Sequence, residues 1–293
     1  MGKQRTPEGP PPPPVVQRLR LQYAKRGRLR FTSHRDFARA FERALRRAGI
    51  PMAYSAGFSP HPKVSWVNAA ATGVASEAEY VEIGLAERRD PEDVRRALDD
   101  SLPPGLDVVA CIEAPDGGPS LPDRVTGSAW EIRLPEVAPA ALRRSVARFL
   151  AAEEVEVERR TKDGVRRLDA RGPVVVAVVA DDDTGFGDTG FGESWSESAS
   201  GVGQRTSCAI LRCVVRHVTP AVRPDDILSG LRSVDSELEL PAPAEARRLA
   251  QGLLDEDGLL VDPLAGVTQD FRRFAPAAVR PSSREAAIPR PGA

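Results

Sequence analysis

From Gln17 onward polar and apolar residues alternate, with Leu19, Leu21 and Tyr23 on one side and Arg18 and Arg20 on the other. That is the period-2 signature of a half-buried strand. Lys25-Arg26-Gly27 reads as a turn before Arg28-Leu29-Arg30-Phe31, so a basic strand or hairpin with outward arginines is expected here. At Ser33 the period changes: Phe37, Ala40, Phe41, Ala44, Leu45 and Ala48 recur at helical spacing. Ser33-His34-Arg35-Asp36 has the form of a capping box with Asp in place of Glu, and Gly49 and Pro51 close the helix. After a Gly/Pro loop, residues 63–67 and 80–85 read as strands. A second helix opens at Asp90-Pro91 and runs through Leu102, and 106–113 is a further short strand.

The order β-α-β-β-α-β over residues 17–114 predicts an α+β class with a ferredoxin-like N-terminal domain. Residues 114–127, rich in Pro and Gly, read as a linker, after which the order restarts. Strands are expected at 129–134, 153–160, 165–169, 173–180 and 207–216, with helices at 138–151 and from Pro224 through Leu231. Residues 128–235 therefore read as a second α+β unit and a candidate duplication, although no final strand is identifiable. Residues 1–16 read as a disordered Pro-rich leader, 181–204 as an acidic Gly/Ser loop, and 236–293 as helix followed by disordered tail.

Charge changes this picture. The 293 residues carry 41 Lys+Arg against 42 Asp+Glu, a formal net charge of -1, which excludes a uniformly basic nucleic-acid binder. Residues 18–63, however, hold twelve Lys or Arg against only Asp36 and Glu42, a local surplus of +10. On the predicted helix Arg35, Arg39, Arg43 and Arg46/Arg47 step by three or four residues, so they form a guanidinium row opposite the apolar stripe. Such a row can track phosphates; it can equally be a solvated face balanced by Asp36 and Glu42.

Two histidines border the same stretch. His34 lies in the first helical turn and His61 in Gly57-Phe58-Ser59-Pro60-His61-Pro62-Lys63, where each residue before a proline is driven extended. Brought together, they would make an acid/base pair able to cleave RNA through its 2′-hydroxyl without a metal. Capping and loop anchoring are the plainer duties. No metal site is expected, because His34 and Asp36 diverge on a helix and His217 stands alone. Cys111, Cys208 and Cys213 are too few and too scattered for a disulfide framework, and buried hydrophobes are the default reading. The acidic repeat at 183–194 lacks the Gly-Lys-Ser/Thr ending of a phosphate loop. Neither a signal-peptide core nor an apolar run of about 20 residues occurs, so a cytoplasmic chain without a membrane span is expected.

Arg28 to Trp66 (RLRFTSHRDFARAFERALRRAGIPMAYSAGFSPHPKVSW) resembles a bacterial family known as the radical SAM-linked, or radical SAM-associated, proteins of unknown function. The family pattern runs R-hydrophobic-R-F-x-S-H-x-D, then R-A-hydrophobic-R-R-A-G-hydrophobic-P, then Y-S-x-G-F-x-P-H-P-K. The positions carried over are Arg30, Ser33, His34, Asp36, Arg43, Arg46, Arg47, Gly57, Phe58, Pro60, His61, Pro62 and Lys63. Val74 to Leu85 also looks like the family, and the likeness extends to about residue 235. Members occur fused behind a radical S-adenosylmethionine enzyme or encoded near one, so the resemblance implies such an enzyme as partner. This chain has no CxxxCxxC motif for an iron–sulfur cluster, so no cofactor of its own is expected and the resemblance implies the stand-alone form.

The expected function is a non-catalytic accessory protein that presents RNA, tRNA included, or another phosphate-bearing substrate. Its expected contact surface comprises Arg28, Arg30, Ser33, His34, Arg35, Arg39, Arg43, Arg46, Arg47, His61 and Lys63. The alternatives are a metal-independent RNA-processing enzyme using His34 and His61, and a protein–protein scaffold.

Overall fold

The computed structural model describes residues 12–162, 164–180, 208–256 and 258–264, together with a two-residue strand at 268–269. Most of the Pro-rich leader, the acidic loop and most of the tail lie outside the described residues.

The first unit runs β1 (Gln17–Lys25), α1 (His34–Arg47), β2 (Val64–Val67), β3 (Ala75–Leu85), α2 (Pro91–Asp99) and β4 (Val108–Glu113). Its strands lie in the order β4-β1-β3-β2, each neighbour antiparallel, which is compatible with the expected split βαβ plan. Leu19, Leu21, Val81 and Ile83 alternate onto one face and are buried against Phe37, Phe41 and Leu45 of α1 and Val94 and Leu98 of α2. Burial of each such side chain contributes about 2 kcal/mol, so this face decides the register.

The second unit runs β5 (Gly127–Pro135), α3 (Pro139–Ala151), β6 (Glu156–Thr161), β7 (Gly164–Asp169), β8 (Val174–Ala180), β9 (Cys208–Arg216), α4 (Pro224–Val234) and β10 (Glu245–Leu254). Its sheet order, β10-β5-β9-β8, is again antiparallel throughout and repeats the first unit's plan, with the β6–β7 hairpin as an addition. Ile132, Leu134, Leu142, Phe149, Leu211 and Leu231 belong to its core. The two units join edge to edge where β10 runs parallel to β3, pairing Arg247 with Ala75 and Arg248 with Ser76. Two short strands, β11 (Leu260–Val261) and β12 (Thr268–Gln269), extend beyond β10. At the β10–β11 contact a side chain at Gly252 would collide with the Val261 carbonyl, so glycine is required there.

Four expectations are corrected. Residues 27–31 form a 3₁₀ turn, not a second strand: Leu29 N–H donates to the Arg26 carbonyl and Thr32 N–H to that of Leu29. Both edges of β1 are taken by the distant strands β3 and β4, so no edge remains for a local hairpin partner. The outward arginines of β1 divide, because Arg18 is exposed whereas Arg20 is only 3% exposed beneath the segment that crosses from β4 to β5. Residues 236–254, expected as helix and tail, carry β10, the final strand of the second unit. The second helix also stops at Asp99, three residues before the expected Leu102.

Candidate functional site

Helix α1 presents the basic row because its apolar stripe is fully used. Phe37, Phe41, Ala44 and Leu45 are buried, which leaves Arg35, Arg39, Arg43, Arg46 and Arg47 exposed. Ser33 caps the helix: its hydroxyl oxygen accepts from Asp36 N–H (3.2 Å), and its O–H donates to the Asp36 carboxylate (2.7 Å). Asp36 in turn lies 4.0 Å from Arg39, and Arg47 donates to the Ser101 carbonyl (3.2 Å). Arg35, Arg43 and Arg46 have no carboxylate partner among the described residues. Unpaired guanidinia on one helix face are a charge-dense strip with its hydrogen-bond donors free.

Arg28 is exposed in the 3₁₀ turn, whereas Arg30 sits 3.7 Å from Glu245 and 4.8 Å from the centre of the Phe31 ring. Phe31 itself is 60% exposed beside this basic end of α1.

His34 packs edge-on against Trp66, ring centres 5.5 Å apart, at the margin of an aromatic cluster in which Trp66 also meets Phe37 and Phe41 at 5.1 Å. His61 sits elsewhere. Its N–H donates to the Ser55 hydroxyl (3.0 Å), its carbonyl accepts from Ser55 N–H (2.9 Å), and its side chain lines a cleft with Arg18, Lys63, Ser65 and Glu82. Ser65 and Trp66 are successive residues of β2 and so face opposite sides of the sheet. The structure therefore places His34 toward the helix-covered side and His61 by a cleft of the other, and does not bring them together. Lys63 goes with His61, away from the α1 row.

Much of the remaining positive charge is already neutralised. Arg20 pairs with Glu82 (3.0 Å), and Arg26 pairs with Glu77 (2.5 Å) and Asp107 (2.7 Å). At the junction of the units Arg248 donates to Glu79 (2.9 Å) and the Asn68 carbonyl (2.7 Å) and lies 4.7 Å over the Trp130 ring. Glu79 and Arg248 are both almost fully buried, and burial lowers the Arg248 pKa against the pull of Glu79.

His217 does not stand alone. Its Nε2 lies 2.7 Å from the Ser128 hydroxyl, and its Nδ1 lies 3.1 Å from both the Val125 carbonyl and the Asn68 amide. Burial pushes its pKa below the ordinary 6.5, with Arg248 adding to the shift and the Val125 carbonyl opposing it. A neutral ring donating from Nδ1 to Val125 accepts the Ser128 O–H at Nε2. This resembles a nucleophile pair, but Ser128 is 1% exposed on a central strand, where no substrate reaches it. The pair ties β5 to the 125 and 217 segments.

Cys111 and Cys213 are inert by burial, which pushes each thiol up to about 12. Among the described residues no cluster of His, Cys, Asp and Glu fits a metal, and no helix is long and apolar enough to cross a membrane.

The Ser128–His217 pair and the Arg20–Glu82 pair escaped sequence reasoning, since each depends on a register between strands far apart in the chain. The alternation of Arg18 and Arg20 was the one local signal, and it does not reveal which arginine is covered.

No curated protein matches the chain. A family model does match residues 18–224, taking in the whole first unit and the second as far as the start of α4, and its description reads uncharacterized protein conserved in bacteria. The chain thus belongs to this bacterial family, DUF2344.

Proposed function

We propose that the protein is a non-catalytic accessory factor of a radical S-adenosylmethionine enzyme, and that it holds RNA, such as tRNA, or another phosphate-bearing substrate along α1. The observation that carries the reading is the exposed row Arg35, Arg39, Arg43 and Arg46, of which three have no carboxylate partner among the described residues. A 14-residue helix is about 21 Å long, so the row offers several successive phosphate contacts. The partner class rests on the motif resemblance at residues 28–85. An iron–sulfur cluster would then be the partner's, since this chain lacks the three-thiolate motif. The separation of His34 from His61 gives no support to an acid/base cleavage pair.

The test is a salt titration of RNA binding by the full chain. With about four phosphate contacts, affinity is expected to fall roughly 50-fold as salt rises from about 50 to 200 mM. Arg39→Ala/Arg43→Ala should weaken binding further and flatten that dependence. Absent or salt-insensitive binding overturns the reading. Capture of a radical enzyme that survives nuclease treatment and the double substitution would favour scaffolding instead.

A further inference from the structure

The face of the first sheet that α1 and α2 leave uncovered carries two adjoining clefts sharing Arg18, Ser65 and Glu82. The larger, about 640 Å³, includes Arg20 and is bounded by the segment crossing from β4 to β5, residues 114–122. The smaller, about 220 Å³, ends against Ser55, His61 and Lys63. The larger volume lies in the range that holds small organic molecules.

The two clefts together hold Arg18, Arg20, Arg88 and Lys63 against Glu82, Glu113 and Asp116, a surplus of one positive charge. Glu82 is divided between Arg18 (3.2 Å) and Arg20 (3.0 Å), so one carboxylate faces two guanidinia. Lys63 adds a third cation and has no carboxylate partner among the described residues. Farther along the larger cleft Glu113 is taken by Arg88 (2.6 Å) and Gln17 (3.1 Å), while Asp116 lines the crossing segment.

Arg20 is the group that calls for a ligand. Its side chain is 4% exposed, Nε donates to Glu82, and Nη2 donates to the Pro119 carbonyl (2.9 Å). Nη1 is buried and has no acceptor among the described residues. A buried charged donor left unsatisfied is costly, and native structures normally supply its partner. An anionic oxygen admitted beside Nη1 by a shift of the Arg20 side chain would complete the donor set in the planar geometry that guanidinium favours.

We propose that the two clefts form one binding site for a small organic anion, a phosphate monoester or a carboxylate, with its charged group held by Arg20, Arg18 and Lys63. The site lies on the opposite face of the sheet from the α1 row, so it stands or falls separately from RNA binding. It also gives His61 and Lys63 a shared setting that the α1 row does not.

Calorimetric titration of the full chain with inorganic phosphate, adenosine 5′-monophosphate and acetate tests this. Saturable binding of at least one probe is expected, and preference between the phosphates and acetate identifies the source of the anion. Loss of one charge-assisted contact should weaken that binding about tenfold in Arg20→Gln, and Arg18→Ala/Lys63→Ala, which removes two, should weaken it about 100-fold. The latter pair removes exposed side chains and keeps the test open if Arg20→Gln fails to fold. Arg39→Ala/Arg43→Ala should bind the probe as wild type does. No saturable binding, affinity unchanged in Arg18→Ala/Lys63→Ala, or loss of the probe in the α1 variant overturns the proposal.

Discussion

Helices α1 and α3 occupy equivalent places in two units of the same strand order, and both carry arginines, yet the arginines do different things. On α3, Arg144 reaches Asp235 (3.0 Å) and Glu237 (3.1 Å), and Arg148 reaches Asp235 (2.8 Å). Asp235 is fully buried and also accepts the Ser145 hydroxyl (2.7 Å), so these cations fasten the helix to the chain beyond α4. On α1 the row faces outward, and Asp36 is its only carboxylate partner among the described residues. Arginine is abundant throughout this chain, so its presence marks no site. What distinguishes α1 is that Arg35, Arg43 and Arg46 have no carboxylate partner among the described residues.

The largest effect should come from the junction that makes the two units one sheet. Glu79→Ala strands the buried Arg248 without its counter-charge, which should cost about 3 kcal/mol or more. Calorimetric unfolding should then show both units destabilised together; a loss confined to one unit would mean that they fold independently.

Next is Asp235→Asn, which frees Arg148, leaves Arg144 with Glu237 alone, and brings α3 closer to α1. The Ser145 hydroxyl and the Arg144 guanidinium hold the Asp235 carboxyl below its ordinary range. Its contribution is therefore present above that range and lost as pH falls through the lowered value. The variant should melt below wild type at neutral pH, with the gap closing in acid, and its freed Arg148 should add weak RNA affinity. The smallest effect concerns His217. Its lowered pKa makes the unfolded state bind the proton first, so stability should fall as pH drops below about 6.5. His217→Gln should lower the melting temperature at pH 7.5 and flatten that acid slope; a slope unchanged in the variant would remove His217 from the account.

Local signals made much of the fold legible. The apolar stripe of α1, the Ser33 cap and the Asp90-Pro91 start of α2 all lie within a few residues of what they specify. Strand β10 escaped because its buried positions include Arg247, Arg248 and Gln251, whose partners Glu77, Glu79 and the Ala78 carbonyl lie about 170 residues earlier in the chain. A strand that buries charge against a remote strand does not alternate apolar with polar. The candidate site was legible to a similar extent. Helical spacing revealed the row of α1, whereas the burial of Arg20 and the separation of His34 from His61 depend on which face of β1 and β2 each residue takes.

The direct test of the central contrast is RNA binding at low salt by three full-length proteins: wild type, Arg39→Ala/Arg43→Ala and Arg144→Ala/Arg148→Ala. Each pair removes two positive charges from equivalent helices, so net charge is matched and only position differs. The α1 pair should lose about tenfold in affinity while keeping its melting temperature, and the α3 pair should keep affinity while losing stability. Equal losses of affinity from the two helices would contradict the claim that the unpaired row on α1 is the site.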